Sequence, residues 1–124
     1  MGATVFAVKT DVDDVAAAYS ILVEQAYWEY GHGGYTGTIA EKNGYVTFEP
    51  PDGVNADDVH DEIESNCYFK EEGRWYGMRP SDQLIAWFGP DEAEKLIRIY
   101  DDKWGPAVAI ADGEGWLFCG YASC

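Results

Sequence analysis

The sequence predicts one α+β domain over residues 1–124, with a single antiparallel or mixed sheet of about five strands and helices on one face. Two observations lead to this class. Segments with apolar residues at helical spacing alternate with short apolar runs, and turn-forming residues separate them. Hydrophobic residues make up 47% of the chain, which is enough for a folded core. A ferredoxin-like arrangement is one form that the predicted order β-α-β-β-α-α-α-β-β allows.

The N-terminal part of the chain predicts a strand followed by a long helix. Residues 4–8 are short, apolar and partly β-branched, as in a strand. From 12 to 30, apolar residues recur on one helical stripe. Thr10 is the predicted N-terminal cap of this helix, and Gly31 the residue that ends it.

The middle of the chain predicts a hairpin and a second helix. Segments 36–41 and 45–49 flank Asn43-Gly44, a strong hairpin signal. Asn55 is expected to cap the helix that follows, while 68–79 is expected to be irregular. The buried positions of that helix are predicted to be Val59, Ile63 and Cys67.

The C-terminal part predicts two helices and a second hairpin. Ser81 opens a short helix, and Pro90 stands in the first turn of the next one, where proline is tolerated. Segments 107–111 and 116–122 are expected to form a hairpin around the turn residues 112–115. The buried face of the last helix is predicted to hold Ala93, Leu96, Ile97 and Tyr100.

Acidic residues dominate the charge of the chain, with 23 acids against eight bases and a net charge of −15. No Lys or Arg interrupts the stretch 49–64, so we expect it to attract a basic surface of another protein, such as one that holds nucleic acid. A solvated helix face, adaptation to a salty cytoplasm or a need for solubility would produce the same excess of acids. The predicted partner-binding residues are Glu49, Asp52, Asp57, Asp58, Asp61, Glu62 and Glu64.

Segment 31–38 is rich in glycine and aromatic residues. It follows a predicted helix and precedes a predicted strand, the reverse of a dinucleotide-binding loop, so we do not expect it to cradle phosphate. It would form either a helix cap with a tight turn, or a shallow ligand pocket or protein-binding edge. The pocket would be lined by Trp28, Tyr30, His32, Gly33, Gly34 and Tyr35.

Catalytic signals are sparse. Asp57, His60, Asp61 and Glu64 share one side of the second helix, as a divalent-metal or acid–base site would require, although an exposed polar face has the same pattern. No metalloprotease, nucleophile-elbow or phosphate-loop motif accompanies them. We therefore expect a protein without catalytic residues, metal or cofactor. Cys67, Cys119 and Cys124 form no CxxC pair and are expected to be reduced.

The sequence also bounds location and assembly. No apolar run approaches the roughly 20 residues of a membrane helix, and residues 1–6 do not resemble a secretory signal, so we expect a cytoplasmic protein that binds neither membrane nor nucleic acid directly. A homodimer is an open alternative, because large apolar side chains exceed what a small domain readily buries. Those side chains are Ile21, Trp28, Trp87 and Trp104.

Three short segments resemble small proteins encoded by bacteriophages. They are WEYGHGGYTGTIAEK at 28–42, DKWGPA at 102–107 and WLFCGYAS at 116–123. The resemblance implies a viral accessory protein that acts in a bacterial cytoplasm, where such proteins disarm host defences, and it assigns no role to any residue.

These observations lead to three functional hypotheses. The first is a non-catalytic protein that binds and inhibits a basic host factor, with nucleic-acid mimicry as one means. The alternative is a small-molecule or nucleotide-signal binder that uses segment 30–38. The third is a metal-dependent hydrolase built on Asp57, His60 and Glu64.

Overall fold

The computed structural model describes residues 2–71 and 74–124, and the side chains of residues 2–69 and 77–124. In chain order the elements are β1 (Ala3–Thr10), α1 (Val15–Tyr30), a 3-10 helix (Ile39–Glu41), β2 (Tyr45–Phe48), α2 (Ala56–Asn66), β3 (Tyr68–Glu71), β4 (Arg74–Met78), α3 (Asp82–Phe88), α4 (Pro90–Asp101), β5 (Ala107–Asp112) and β6 (Gly115–Ser123).

The main sheet has four strands in the order β1-β6-β5-β2. Strand β6 is antiparallel to both β1 and β5, and β2 is parallel to β5. Strands β3 and β4 form a separate antiparallel hairpin. The predicted α+β class and the mixed sheet are therefore confirmed, with four strands in the main sheet and two in a small one.

Helices cover both faces of the main sheet, whereas the sequence pattern predicted them on one. On β5, Ala107 and Ala109 face α1, while Val108 and Ile110 face α2, α3 and α4. Strand β6 alternates in the same way. Strands buried on both faces have nearly continuous apolar sequences, and the apolar runs of β5 and β6 are of this kind. The expectation of helices on one face was wrong, and the ferredoxin-like arrangement fails with it.

The hairpin predicted around Asn43-Gly44 does not form, because β2 pairs with β5 instead. The segment before it contains the 3-10 helix, whose first turn is capped by the Thr38 side chain. Ile39 is buried beneath α1, and Glu41 accepts hydrogen bonds from the backbone and the hydroxyl of Thr36 at 3.2 and 2.8 Å. These side-chain bonds replace the strand ladder that the sequence pattern indicated.

The segment 68–79, predicted to be irregular, instead contains β3 and β4. Their pairing shifts register between Phe69 and Lys70, and Gly77 interrupts the apolar pattern of β4. This irregularity hides the hairpin from a simple alternation pattern. Gly73, part of the same prediction, lies outside the described residues.

The sequence predicted most helix ends correctly, in contrast to the two hairpins described above. Asn55 and Ser81 cap α2 and α3, and Pro90 opens α4, as predicted. Helix α1 ends at Gly31 but begins at Val15, with Asp14 as its cap; the Thr10 hydroxyl instead accepts a hydrogen bond from the Val12 amide. The predicted inward residues are fully or almost fully buried, namely Val59, Ile63, Cys67, Ala93, Leu96, Ile97 and Tyr100.

A buried lysine joins three parts of the fold. Lys42 is only 6% exposed, and its Nζ donates to the carbonyl oxygens of Asp102 and Tyr121 at 2.8 and 2.7 Å. Its own carbonyl accepts a hydrogen bond from the Tyr19 hydroxyl at 3.0 Å. Burial lowers the pKa of Lys42 to about 8, although the charge of Asp102 opposes the shift. The folded state therefore releases this proton at a lower pH than the unfolded chain.

We expect Lys42→Met to change how stability depends on pH. Between about pH 8 and 10.5 the unfolded chain binds more protons at this site, so the free energy of unfolding of the wild type should rise relative to the variant, by up to about 3 kcal/mol. Urea denaturation of both proteins from pH 7 to 10.5 measures the difference between their free energies of unfolding. Tyr and Cys groups titrate in both proteins, so their contributions cancel in this difference. A difference independent of pH would contradict the prediction.

A close backbone approach fixes the start of β6. A Cβ at Gly115 would overlap the Thr10 carbonyl oxygen and lie 2.8 Å from the Asp11 Cα. We expect Gly115→Ala to lower the free energy of unfolding by about 3 kcal/mol, because backbone must shift to accept the methyl group. Gly33→Ala is the matched control, since a Cβ there meets no atom within 4 Å. Equal stability of the two variants in urea would show that the strand end adjusts freely.

Candidate protein-binding surface

The strand ends bring acidic residues together at one end of the main sheet. Strand β1 ends at Thr10, which pairs with Trp116 near the start of β6, and β2 ends at Phe48, opposite Ile110 near the end of β5. The N-terminus of α2 lies at the same end, because the Ala56 amide donates to Asp112 Oδ1 at 3.3 Å. We call this surface the acidic end; its residues are Asp11, Asp13, Asp14, Glu49, Asp52, Asp57, Asp58, Asp112 and Glu114.

Some of these carboxylates hold the fold together. Lys9 Nζ lies 2.8 Å from Asp57 Oδ2 and 3.4 Å from Asp112 Oδ2, the two ion pairs found among the described residues. The Asp57 hydrogen bond and the charges of both carboxylates raise the pKa of Lys9. Asp14 and Asp58 accept hydrogen bonds at the first turns of α1 and α2. These four carboxylates thus have structural partners.

The other five carboxylates of the acidic end are exposed. Within the described part of the chain, none of them has a side-chain hydrogen bond or an ion pair. Glu49 and Asp52 line a shallow hollow of about 440 Å³ together with Gly113 of the β5–β6 turn. Unneutralised carboxylates gathered at one end of the sheet produce a negative potential there. The five residues are Asp11, Asp13, Glu49, Asp52 and Glu114.

The predicted acidic stretch is divided between two places. Glu49, Asp52, Asp57 and Asp58 belong to the acidic end, whereas Asp61, Glu62 and Glu64 lie farther along α2. Glu62 accepts hydrogen bonds from the hydroxyl of Ser81 and the amide of Asn66, at 2.6 and 3.0 Å. Glu64 accepts one from the Tyr68 hydroxyl at 2.7 Å. Asp61 is exposed.

Glu64 belongs to a cluster with three tyrosines and a histidine. The hydroxyls of Tyr68 and Tyr121 are hydrogen-bonded to each other, and the hydroxyl of buried Tyr100 lies 3.1 Å from Nε2 of His60. The rings of Tyr100 and Tyr121 meet edge to face, with centroids 5.9 Å apart. The cluster therefore joins α2, α4 and β6 through side-chain contacts.

The titratable groups of this region favour their neutral forms. Burial is the main reason that the pKa values of Tyr68, Tyr100 and Cys119 are raised. The negative charge of Glu64 adds to the shift in all three. Burial raises the pKa of the Cys67 thiol as well. A thiolate nucleophile or a tyrosinate base needs the opposite shift, so these groups are present as neutral hydrogen-bonding and packing groups.

Two adjoining hollows lie beside this cluster. One, of about 600 Å³, is lined by Glu64, Tyr68, Gly77, Met78, Asp101 and Tyr121. The other, of about 440 Å³, shares Met78 and Asp101 and also holds Arg79 and Arg98. The Arg79 guanidinium lies 4.1 Å from the centroid of the Phe69 ring. Two exposed arginines, Arg79 and Arg98, thus lie in this hollow. The exposed Lys95 of α4 instead has its Nζ 6.0 Å from the centroid of the Phe48 ring, the residue before Glu49 of the acidic end.

The residues of the alternative ligand pocket lie in different places. Trp28 and His32 line a hollow of about 400 Å³ with Glu24 and Tyr27, and no Lys or Arg is among its described lining residues. Tyr30 instead borders a groove beside β1, and Tyr35 contacts the ring of Trp104. Gly33 and Gly34 are exposed in the turn between these sites. The structure does not bring the six residues to a single pocket.

The candidate metal site also lacks a suitable geometry. Among the described residues, no group of three or more His, Cys, Asp or Glu side chains is arranged to hold a metal ion. Asp57 pairs with Lys9, whereas His60 contacts Tyr100 and Glu64 contacts Tyr68. The three side chains therefore have separate partners.

Sequence reasoning missed part of the acidic end. Five of its residues are distant in sequence from the stretch 49–64 and join it only through strand pairing, namely Asp11, Asp13, Asp14, Asp112 and Glu114. A signal was present, because each of them lies within a few residues of a strand end. Knowledge of the strand order was needed to place these ends together.

No family model, curated protein or solved structure matches this chain. None of the helices in the described part of the chain combines the length and hydrophobicity that crossing a bilayer requires.

We expect one fast-reacting thiol in the native protein. Cys67 and Cys119 are buried with raised pKa values, whereas Cys124 is exposed. Titration with a disulfide reagent near neutral pH should modify one thiol quickly and the other two only at the rate of unfolding. Cys124→Ser should abolish the fast phase, and all three thiols should react in denaturant. Rapid reaction of Cys119 in the folded protein would contradict this assignment.

Proposed function

We propose that this protein is a non-catalytic phage accessory protein that binds and inhibits a basic host factor, using the acidic end as its contact surface. The observation that carries the proposal is the group of five exposed carboxylates at one end of the sheet, unpaired among the described residues. The resemblance of three sequence segments to phage-encoded proteins supports the host context.

The distribution of charge favours a contact surface over a general role in solubility. Arg79 and Arg98 lie at the C-terminal end of α4, and Lys103 donates to the Gly2 carbonyl, at the start of β1. The acidic end lies where β1 finishes, so these three bases lie at the other end of the sheet from the free carboxylates, whereas Lys9 and Lys95 lie on the acidic side. An asymmetric charge distribution of this kind orients a basic partner during its approach.

The acidic end would inhibit by occupying a surface that its partner uses for an anion. Duplex DNA presents about one negative charge per 1.7 Å, and a basic groove that binds it also attracts a dense group of carboxylates. Nucleic-acid mimicry is therefore our specific form of the proposal, with a host defence factor that binds nucleic acid as the target. In that case, duplex DNA and this protein compete for the same partner surface.

Neutralising the acidic end tests this function. We expect the combined variant Asp11→Asn, Glu49→Gln, Asp52→Asn and Glu114→Gln to bind its partner at least about tenfold more weakly at low salt. Capture from a bacterial host lysate, followed by affinity measurement on the purified partner, gives the result. Binding by the wild type should weaken as salt increases, because charge attraction is screened.

The control variant carries the same change in charge at other exposed sites. It combines Glu24→Gln, Asp82→Asn, Glu94→Gln and Asp101→Asn. We expect it to retain nearly full affinity and full inhibition in the host. Equal loss in both variants would attribute binding to net charge alone, and full potency of the acidic-end variant would refute the proposed surface.

A further inference from the structure

Strand β1 presents an open hydrogen-bonding edge. Gly2 and Cys124 exchange backbone hydrogen bonds at 3.3 and 3.2 Å, and the β1–β6 register continues without a shift to Thr10 and Trp116. Because bonded and non-bonded pairs alternate along antiparallel strands, the next bonded residues are Thr4, Phe6 and Val8. The N–H and C=O groups of Ala3, Val5, Ala7 and Lys9 therefore point away from β6.

These outward groups have no hydrogen-bond partner among the described residues. Beside them lies a groove of about 360 Å³, bordered by residues 5–8 of β1 and by the side of α1 that faces this strand. Leu22 and Ala26 form the apolar wall of the groove, and Gln25 and Glu29 lie among its polar lining residues. The strand thus offers both a backbone ladder and a cleft for side chains.

The two edges of the main sheet differ in how they are protected. Strand β2 has four residues, and Pro50-Pro51 follows soon after it. Short strands and nearby prolines discourage the addition of another strand. Strand β1 has eight residues, contains no proline, and pairs with β6 without a bulge. Its edge is the one suited to strand addition.

The two faces of β1 determine which side chains an added strand would need. Phe6 and Val8 face α1, next to the apolar wall of the groove. On the opposite face, Lys9 is paired with Asp57 and Asp112 and so leads into the acidic end. An added strand would therefore place apolar side chains toward α1 and basic side chains toward α2.

We propose that β1 accepts an extended segment of the partner protein, with alternating apolar and basic residues, as an additional strand of the main sheet. Backbone hydrogen bonds to the edge provide affinity in this mode, and the side-chain groove provides specificity. The inference rests on the proposed function, since it assigns to the basic partner a second contact that adjoins the acidic end.

A second copy of this chain is the less suitable occupant. Each copy carries a net charge of −15, and pairing through β1 would bring the Glu29 side of each α1 toward the same interface. Like charges brought together oppose association, whereas a basic segment is attracted. The charge of the chain thus favours a basic strand over self-pairing.

The test uses capped peptides of alternating valine and lysine, long enough to span β1, with the full-length protein. One peptide is unmodified, one is N-methylated on every lysine and one on every valine; all three have the same charge. Along a strand, the N–H groups of alternate residues point to opposite edges, so only one methylated peptide loses its bonds to β1. We expect that peptide to bind at least about tenfold more weakly than the other two. Loss on lysine methylation would indicate antiparallel pairing, and loss on valine methylation parallel pairing.

Amide hydrogen exchange and a β1 variant provide the second measurement. In the free protein the Val5 and Ala7 amides should exchange faster than those of Phe6 and Val8, and the unmodified peptide should protect them. Ala7→Pro removes an outward N–H and should weaken peptide binding, whereas Ala7→Val should not.

Equal binding of both methylated peptides would overturn the proposal in favour of charge attraction alone. A dimer with Val5 and Ala7 already protected would overturn it in favour of self-pairing. Neither result would affect the acidic-end variant, so failure here is distinguishable from failure of the proposed function.

Discussion

The fold depends on the β5–β6 hairpin being buried on both faces. Its side chains alternate between a core under α1 and a core under α2, α3 and α4. Strand β6 carries β1 on its free side, and β5 carries β2. Gly120 of β6 has a φ of 142°, a backbone conformation that residues with side chains rarely adopt, where the strand passes the backbone of Tyr100 in α4. Helices α1, α2 and α4 pack directly against this hairpin, while α3 and the β3–β4 hairpin pack in turn on α2 and α4.

Burial of both sheet faces determines where charge is placed. With helices on each side, the sheet leaves its ends and its two edges for polar groups. The acidic residues after β1, β2 and β5 therefore emerge at one end, close to the N-termini of α1 and α2. The partial positive charge of a helix N-terminus stabilises nearby carboxylates, as at Asp14 and Asp58. Asp14 and Asp58 thus gain hydrogen bonds at the helix N-termini, whereas the exposed carboxylates beside them have no side-chain partner among the described residues.

Local features were predictable from sequence, whereas long-range pairing was not. Asn55, Ser81 and Gly31 act on neighbouring residues, and the structure confirms all three as helix caps. Asn43-Gly44 is also a local signal, but β2 gains more by joining the buried sheet beside β5 than by turning back on a polar segment. The acidic end was predicted in part, since the stretch 49–64 is continuous in sequence while its other members arrive from distant strands.

Lys9 connects the two surfaces proposed for partner binding. A lysine on an edge strand usually discourages pairing, because its charge would be forced into an apolar interface. Here Asp57 and Asp112 hold that charge on the α2 side of the sheet, away from the groove beside α1. The ion pairs also mean that Lys9 does not repel a basic segment as a free lysine would. One cation thereby keeps the β1 edge accessible and joins it to the acidic end, so that a single basic partner can contact both.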